Sequence, residues 1–147
     1  RRRFISYDLM VFEPGAAPKK RPEFMAWYDQ QTRWAEPHGY NDPSVTTTRL
    51  RAWYDELNIE YPNMSGPDAS DDCDNPKLTD YSIGNSVIYV AFAWSEAENA
   101  YRAVRRLVEK HGVGFYDVSS DDGEIWEPPG DGPPSKKGFF QRLLRLR

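Results

Sequence analysis

Hydrophobic and polar positions divide the chain into strand-like and helix-like segments. Residues 4–12 (FISYDLMVF) are rich in aromatic and branched side chains and end at the turn signal of residues 13–15 (EPG), which predicts a strand. Two further strands are predicted at residues 81–83 and 86–94, on either side of a Gly-Asn pair. The second of these is almost entirely apolar, so we expect it to be a central strand covered on both faces.

Apolar side chains at three- to four-residue spacing predict three helices. The first begins near Pro22 and has an aromatic face, and the second ends near Tyr61. Both contain the word AWYD, at residues 26–29 and 52–55, which we interpret as two core-facing Trp–Tyr pairs rather than a duplicated ligand site. The third helix follows a predicted capping box, SEAE, and ends at Gly112, a residue suited to a left-handed cap.

The order of elements predicts the fold class. A strand at residues 113–118 and a short edge strand at residues 124–126 complete the order β-α-α-β-β-α-β with a fifth strand. We expect an α+β fold, a ferredoxin-like sandwich with an antiparallel sheet of four to five strands and three helices packed on one face. Residues 1–127 form the single domain, residues 128–138 a Pro/Gly linker, and residues 139–147 a basic, apolar C-terminal tail.

Charge is segregated along the chain, whose net charge is −4. Eight of the 19 basic residues lie in residues 1–3 and 136–147, which leaves 11 basic against 23 acidic residues, a net charge of −12, between positions 4 and 135. Such a field repels nucleic acid and anionic lipid and attracts a basic partner. An acidic surface that serves only solubility is the alternative.

Length and composition favour a cytoplasmic protein of one domain. The chain of 147 residues has the size of one domain. Its longest apolar run, residues 87–94, is far shorter than the ~20 residues of a membrane span, and residues 1–3 (RRR) are not followed by the apolar core of a signal peptide. Cys73, the single cysteine, excludes an internal disulfide framework. The C-terminal tail is the only candidate for a membrane contact.

No arrangement of residues predicts catalysis or a metal centre. Aspartates crowd the loop of residues 62–80, but neither this loop nor residues 117–128 place Gly and Glu where a calcium loop needs them. Cys73, His38 and His111 lack the paired spacing of a zinc site, and the aspartates around Cys73 oppose thiolate formation. We therefore expect no cofactor and no catalytic residue. The alternative is a small enzyme or ligand-binding domain with a pocket between the aromatic helices and the sheet.

Four segments carry a resemblance: residues 6–12 (SYDLMVF), 80–84 (DYSIG), 87–94 (VIYVAFAW) and 111–118 (HGVGFYDV). Together they resemble a family of small, poorly characterised bacterial cytoplasmic proteins, some of which look like immunity proteins that neutralise toxins delivered by rival cells. The resemblance spans residues 6–127. It implies a non-catalytic toxin inhibitor and identifies no contact residue.

We predict a partner-binding surface that combines an acidic loop, an acidic turn and two aromatic anchors. Its residues are Asp68, Asp71, Asp72, Asp74, Asp121, Asp122, Glu124, Trp126 and Tyr81. Such a surface would steer a toxin with a basic cleft toward it, and aromatic residues are favoured as interface hot spots. Core packing is the alternative for both aromatic residues, and more so for Tyr81.

Overall fold

The computed structural model describes residues 5–130, which form one antiparallel sheet and three helices. The strands are β1 (Tyr7–Phe12), β2 (Asp80–Ile83), β3 (Val87–Phe92), β4 (Gly114–Tyr116) and β5 (Ile125–Trp126), and the helices are α1 (Arg21–Gln31), α2 (Thr48–Glu60) and α3 (Ala97–His111). The strand order is β2-β3-β1-β4-β5, with every neighbouring pair antiparallel. The predicted α+β fold is confirmed.

The helices lie on both faces of the sheet, because the central strand β1 has apolar side chains on both faces. Leu9 and Val11 belong to a hydrophobic cluster with α2 and α3, whereas Met10 and Phe12 alternate with them and belong to a cluster with α1. The prediction that all three helices pack on one face is therefore wrong. A central strand that is apolar on both faces needs cover on both, and α1 provides the second cover.

The face covered by α2 and α3 is closed. The two helices pack side by side over β1 and β3 and bury a continuous apolar surface. Their fully buried contributions include Leu50, Trp53, Tyr54 and Leu57 from α2 and Ala100, Val104 and Val108 from α3. The Trp53 indole also donates a long hydrogen bond of 3.5 Å to the Val104 carbonyl oxygen, so the largest side chain of this core has a polar partner.

On the opposite face α1 is the only helix among residues 5–130. Phe24 is the only fully buried residue of this helix. The centre of its ring lies 5.0 Å from the ring centre of Phe12 and 5.5 Å from that of Tyr116. Trp27 and Tyr28 are half-buried. One helix cannot cover five strands, so part of this face stays open beside α1.

Two local features of α3 follow from its ends. The predicted capping box is wrong, because a 3₁₀ turn at Trp94–Glu96 leads directly into the helix and Glu96, at the N-cap position, makes no side-chain cap. Gly112 has φ of 68°, which confirms the left-handed cap.

Among residues 5–130 no helix is both long and apolar enough to cross a membrane. Residues 131–138 of the predicted linker and the tail at 139–147 lie outside the described residues.

Candidate functional site

The acidic loop between α2 and β2 is anchored by buried hydrogen bonds. Asn63, which is fully buried, donates from Nδ2 to the Tyr54 hydroxyl oxygen at 3.0 Å, and that hydroxyl donates to Oδ2 of Asp68 at 3.0 Å. Burial raises the pKa of Tyr54 to about 12, and the Asp68 carboxylate adds to the rise, so the phenol stays a donor at neutral pH. The backbones of Asn63 and Thr79 form a bridge that closes the base of the loop. Asp68 is therefore a structural residue of the loop as well as an acidic one.

The tip of the loop carries three carboxylates with no such role. Asp71, Asp72 and Asp74 are exposed. Within residues 5–130, their carboxylates have neither a hydrogen-bond donor nor a cationic side chain in contact. Cys73 between them is also exposed. These three aspartates are where the sequence prediction placed them, on the surface and close together in the chain.

The acidic turn after β4 is held by the first residue of α1. Arg21 donates to the carbonyl oxygens of Gly123 at 2.9 Å and of Asp122 at 3.3 Å. Gly123 has φ of 56°, and a Cβ at this position would lie 2.6 Å from Nη2 of Arg21. The turn is thus fixed in shape, with the Asp121 and Asp122 side chains exposed.

The two predicted aromatic anchors lie in different environments. Tyr81 is 1% exposed and its hydroxyl donates to the Tyr61 carbonyl oxygen at 2.6 Å, so it is a core residue and has no surface to offer a partner. Trp126 is half-buried, and the Arg105 guanidinium lies 4.9 Å from its ring centre. Glu124 is exposed but accepts a hydrogen bond of 2.8 Å from the Tyr101 hydroxyl. The prediction of Tyr81 as a surface anchor is therefore wrong, because its side chain is buried.

Sequence reasoning missed a buried carboxyl group beside this turn. Asp117 is 9% exposed, and its Oδ1 has no hydrogen-bond partner. Burial raises the pKa of Asp117, the backbone N–H of Ser120 opposes the rise, and the Glu124 carboxylate adds to it. Burial and then the Asp117 charge also raise the pKa of Tyr7. The sequence signal was available, because Asp117 interrupts an otherwise apolar run at residues 113–118.

A groove of about 430 Å³ lies on the open part of the α1 face, between the C-terminal half of α1 and the strands β2 and β3. Its walls are Tyr28, Asp29, Thr32 and Trp34 on the helix side and Asp80, Ser82, Tyr89 and Ala91 on the sheet side. The alternative interpretation of the sequence expected a pocket in this region, between an aromatic helix and the sheet. It did not identify these lining residues, because the strand register that brings them together is set by tertiary packing.

Neither histidine belongs to this groove. His38 pairs with Glu36 at 2.7 Å, and His111 pairs with Glu56 at 3.0 Å. The hydrogen bonds of His38 to the Gly39 carbonyl and to Glu36 raise its pKa. Among the described residues no group of three or more His, Cys, Asp or Glu side chains is arranged to hold a metal ion. Chemistry that needs a histidine next to the groove carboxylates therefore has no support from the described residues.

Comparisons with protein-family models, with curated proteins and with solved structures found no match to this chain.

Proposed function

We propose that this chain is a non-catalytic binding protein that recognises a basic protein partner through its acidic loop and turn. The observation that supports this proposal is a division among the carboxylates. Those on α2 and α3 are largely paired with cations of the same chain, whereas Asp71, Asp72 and Asp74 face solvent without a cation within the described residues. Unpaired carboxylates close together produce the field that steers a basic surface.

Carboxylates on α2 and α3 contact cationic side chains, and the loop tip has no such contact within the described residues. Glu56 contacts Lys110 at 2.7 Å and His111 at 3.0 Å, and Glu98 contacts Arg102 at 2.6 Å. A partner that approaches these carboxylates must displace an internal cation, whereas one that approaches the loop tip displaces only water and mobile ions. A lysine or arginine of a partner can therefore approach the loop tip more easily than the paired carboxylates of α2 and α3.

We further propose that the partner is a toxin whose active site this chain occludes. The support is the resemblance of four segments within residues 6–127 to a family some of whose members look like proteins of that role, together with the lack of any catalytic arrangement in the sequence. Toxins that act on nucleic acids or nucleotides have basic clefts, and an inhibitor of such a cleft needs a shaped acidic surface rather than catalytic residues.

The test is co-expression of the chain with the product of the neighbouring gene. The proposal predicts a co-purifying complex and relief of growth inhibition. The double reversal Asp71→Lys/Asp72→Lys should slow association at low salt by at least about tenfold, because charge steering acts on the association rate.

The matched control is Glu23→Lys/Glu109→Lys, which makes the same change in net charge at two exposed helical carboxylates away from the loop. It should slow association much less than the loop reversal does. Equal effects of the two double variants would show that the loop acts only through the net charge of the protein and not as a specific binding surface. Failure of the wild-type chain to form a complex or relieve toxicity would contradict the proposed function.

A second candidate function is the binding of a small ligand in the groove beside α1. It is supported by the position of this groove between an aromatic helix and the sheet. This function predicts that the loop reversal leaves ligand affinity unchanged, because residues 71 and 72 do not line the groove.

A further inference from the structure

We propose that the groove beside α1 receives an arginine side chain of the basic partner. The identity of the occupant rests on the proposed function, whereas the chemistry of the groove does not. The groove combines carboxylates on two walls, aromatic rings and a low floor, and these three features together fit a guanidinium group.

The carboxylates come from two separate elements. Asp29 lies on α1 and Asp80 begins β2, and both line the groove and are exposed. Within residues 5–130, no lysine or arginine lines the groove, and neither carboxylate has a cation within ion-pair distance. An anion would meet only negative charge here, so charge complementarity requires a cationic occupant.

The floor of the groove is low because a small residue separates two aspartates. The strand register places Ala91 opposite Asp80 on one side and opposite Asp8 on the other. Strands lie ~5 Å apart, so the Cα atoms of Asp8 and Asp80 are roughly 10 Å apart, with the methyl group of Ala91 between their positions and the Tyr89 hydroxyl on the Asp8 side. This space is wide enough for a planar guanidinium.

Asp8 is a fixed part of this row. It is 7% exposed, and its carboxylate accepts hydrogen bonds from the hydroxyls of Ser6, at 2.6 Å, and Tyr89. Both donors are neutral groups, so they leave the negative charge of Asp8 uncancelled under the floor. A cation above Ala91 would be attracted by this charge as well as by the two exposed carboxylates.

Aromatic rings supply the remaining wall. Trp34 lies just beyond the end of α1, where its left-handed backbone, φ 53°, is an unusual conformation for a bulky residue. The centre of its ring lies 5.0 Å from the ring centre of Tyr40 and 6.1 Å from that of Tyr89, and both contacts are edge-on. An indole face beside carboxylates binds a planar, weakly hydrated guanidinium better than a compact ammonium ion, so arginine is favoured over lysine.

The test uses a capped amino acid in place of the partner. N-acetyl-arginine amide carries the side chain and peptide groups without terminal charges, and N-acetyl-citrulline amide has the same shape without the positive charge. The ¹⁵N-labelled protein is titrated with each, and the indole and backbone signals are followed. The chain has five tryptophans, so the Trp34 indole signal can be assigned by Trp34→Phe.

The proposal predicts saturable shifts for the arginine probe at the Trp34 indole and at the amides of residues 80–82 and 89–91. The dissociation constant should be on the order of 1–10 mM, as for a single exposed cation site. Citrulline should give no saturable shift. Asp29→Asn/Asp80→Asn should weaken binding at least about fivefold, and Asp71→Asn/Asp72→Asn, the matched control at the loop tip, should leave it unchanged.

Three results would overturn the inference: shifts confined to residues 71–74, equal responses to arginine and citrulline, or binding unaffected by the Asp29→Asn/Asp80→Asn variant in a sample whose amide dispersion shows it to be folded. If the partner complex forms while the arginine probe fails to bind, the groove inference fails and the proposed function stands. If the probe binds while no partner complex forms, the proposed function fails and the groove remains a guanidinium site.

Discussion

The same four-residue sequence, AWYD, occurs in a helix on each face of the sheet, but its Trp and Tyr side chains are buried to different extents. On α2, Trp53 and Tyr54 of the second AWYD are 0% exposed, whereas on α1, Trp27 and Tyr28 of the first AWYD are half-buried. The word is the same, so local sequence does not decide the outcome. The difference is that α2 has α3 beside it on its face of the sheet, whereas α1 has no second helix beside it within the described residues.

The same contrast holds for charge. On the closed face, Glu56 and Glu60 of α2 contact Lys110 and Arg106 of α3, which joins the helices at their surface as well as in the core. Beside α1 the described part of the chain has no neighbouring helix to supply cations, and Asp29 and Asp80 line the open groove instead. One face is thus built for stability, and the other leaves polar and aromatic groups accessible.

The largest expected effect compares the two tryptophans. Trp53→Ala should lower the free energy of unfolding by ~3–5 kcal/mol, because it leaves a cavity in a closed core. Trp27→Ala should cost only about 1–2 kcal/mol, because this side chain is partly exposed already. Urea unfolding with unchanged m-values measures both. Equal losses would show that the α1 face is as tightly packed as the other and would break the comparison.

A smaller effect is expected from the hydroxyl that anchors the acidic loop. Tyr54→Phe should cost about 1–3 kcal/mol, since it leaves the buried Nδ2 of Asn63 without its acceptor. The control is Tyr101→Phe, which removes an exposed hydroxyl bonded to Glu124 and should cost less than about 0.5 kcal/mol. Chemical denaturation gives both values. A Tyr54→Phe protein as stable as the control would mean that the loop is not anchored through this bond.

The buried carboxyl group of Asp117 should give a pH dependence of the opposite sign from that of a paired carboxylate. Its pKa is raised in the folded state, so the folded protein holds this proton more strongly, and stability falls as pH rises from about 4 through the raised pKa. Asp117→Asn should remove this fall and stabilise the protein at pH 7 on the order of 1 kcal/mol. Thermal unfolding from pH 3 to pH 8 measures it. A variant with the wild-type pH profile would show that Asp117 is not the group responsible.

The smallest effect separates a paired carboxylate from an unpaired one. The bond from Lys110, and then that from His111, lowers the pKa of Glu56 in the folded state, so its contribution to stability is present above its unfolded pKa and is lost as pH falls through the folded value. Glu56→Gln should therefore lower the unfolding midpoint at pH 7, and the difference should disappear in acid. Asp80→Asn should leave the midpoint unchanged, because Asp80 contacts no cation within residues 5–130. A loss of equal size in both variants would contradict the division of charge between the faces.

Much of the fold was predictable because it depends on local patterns. The periodicity of apolar residues located the three helices and five strands within a few residues of their observed ends. The side of the sheet to which α1 packs was not predictable in this way, because an aromatic helix can pack equally well on either face. The capping box also failed, since the 3₁₀ turn at Trp94–Glu96 satisfies the helix start without the Ser95 hydroxyl.

The candidate site was predictable where exposure follows from composition. Charged side chains in a loop lie at the surface, so the positions of Asp71, Asp72 and Asp74 agree with the prediction. For Tyr81 the sequence left core packing as the alternative, and the register of β2 against β3, which turns its ring into the core, decides for that alternative. The groove could not be predicted, because Asp29 and Asp80 are distant in sequence and only tertiary packing brings them together.

The measurement that tests the central claim most directly is hydrogen–deuterium exchange of the chain alone and in complex with the co-expressed partner. The claim is that the acidic loop, the acidic turn and the open α1 face bind the partner and that the closed face does not. It predicts slowed exchange at residues 71–74, 80–82, 89–91 and 121–124, with unchanged exchange along the outer surfaces of α2 and α3. Protection confined to α2 and α3 would contradict it.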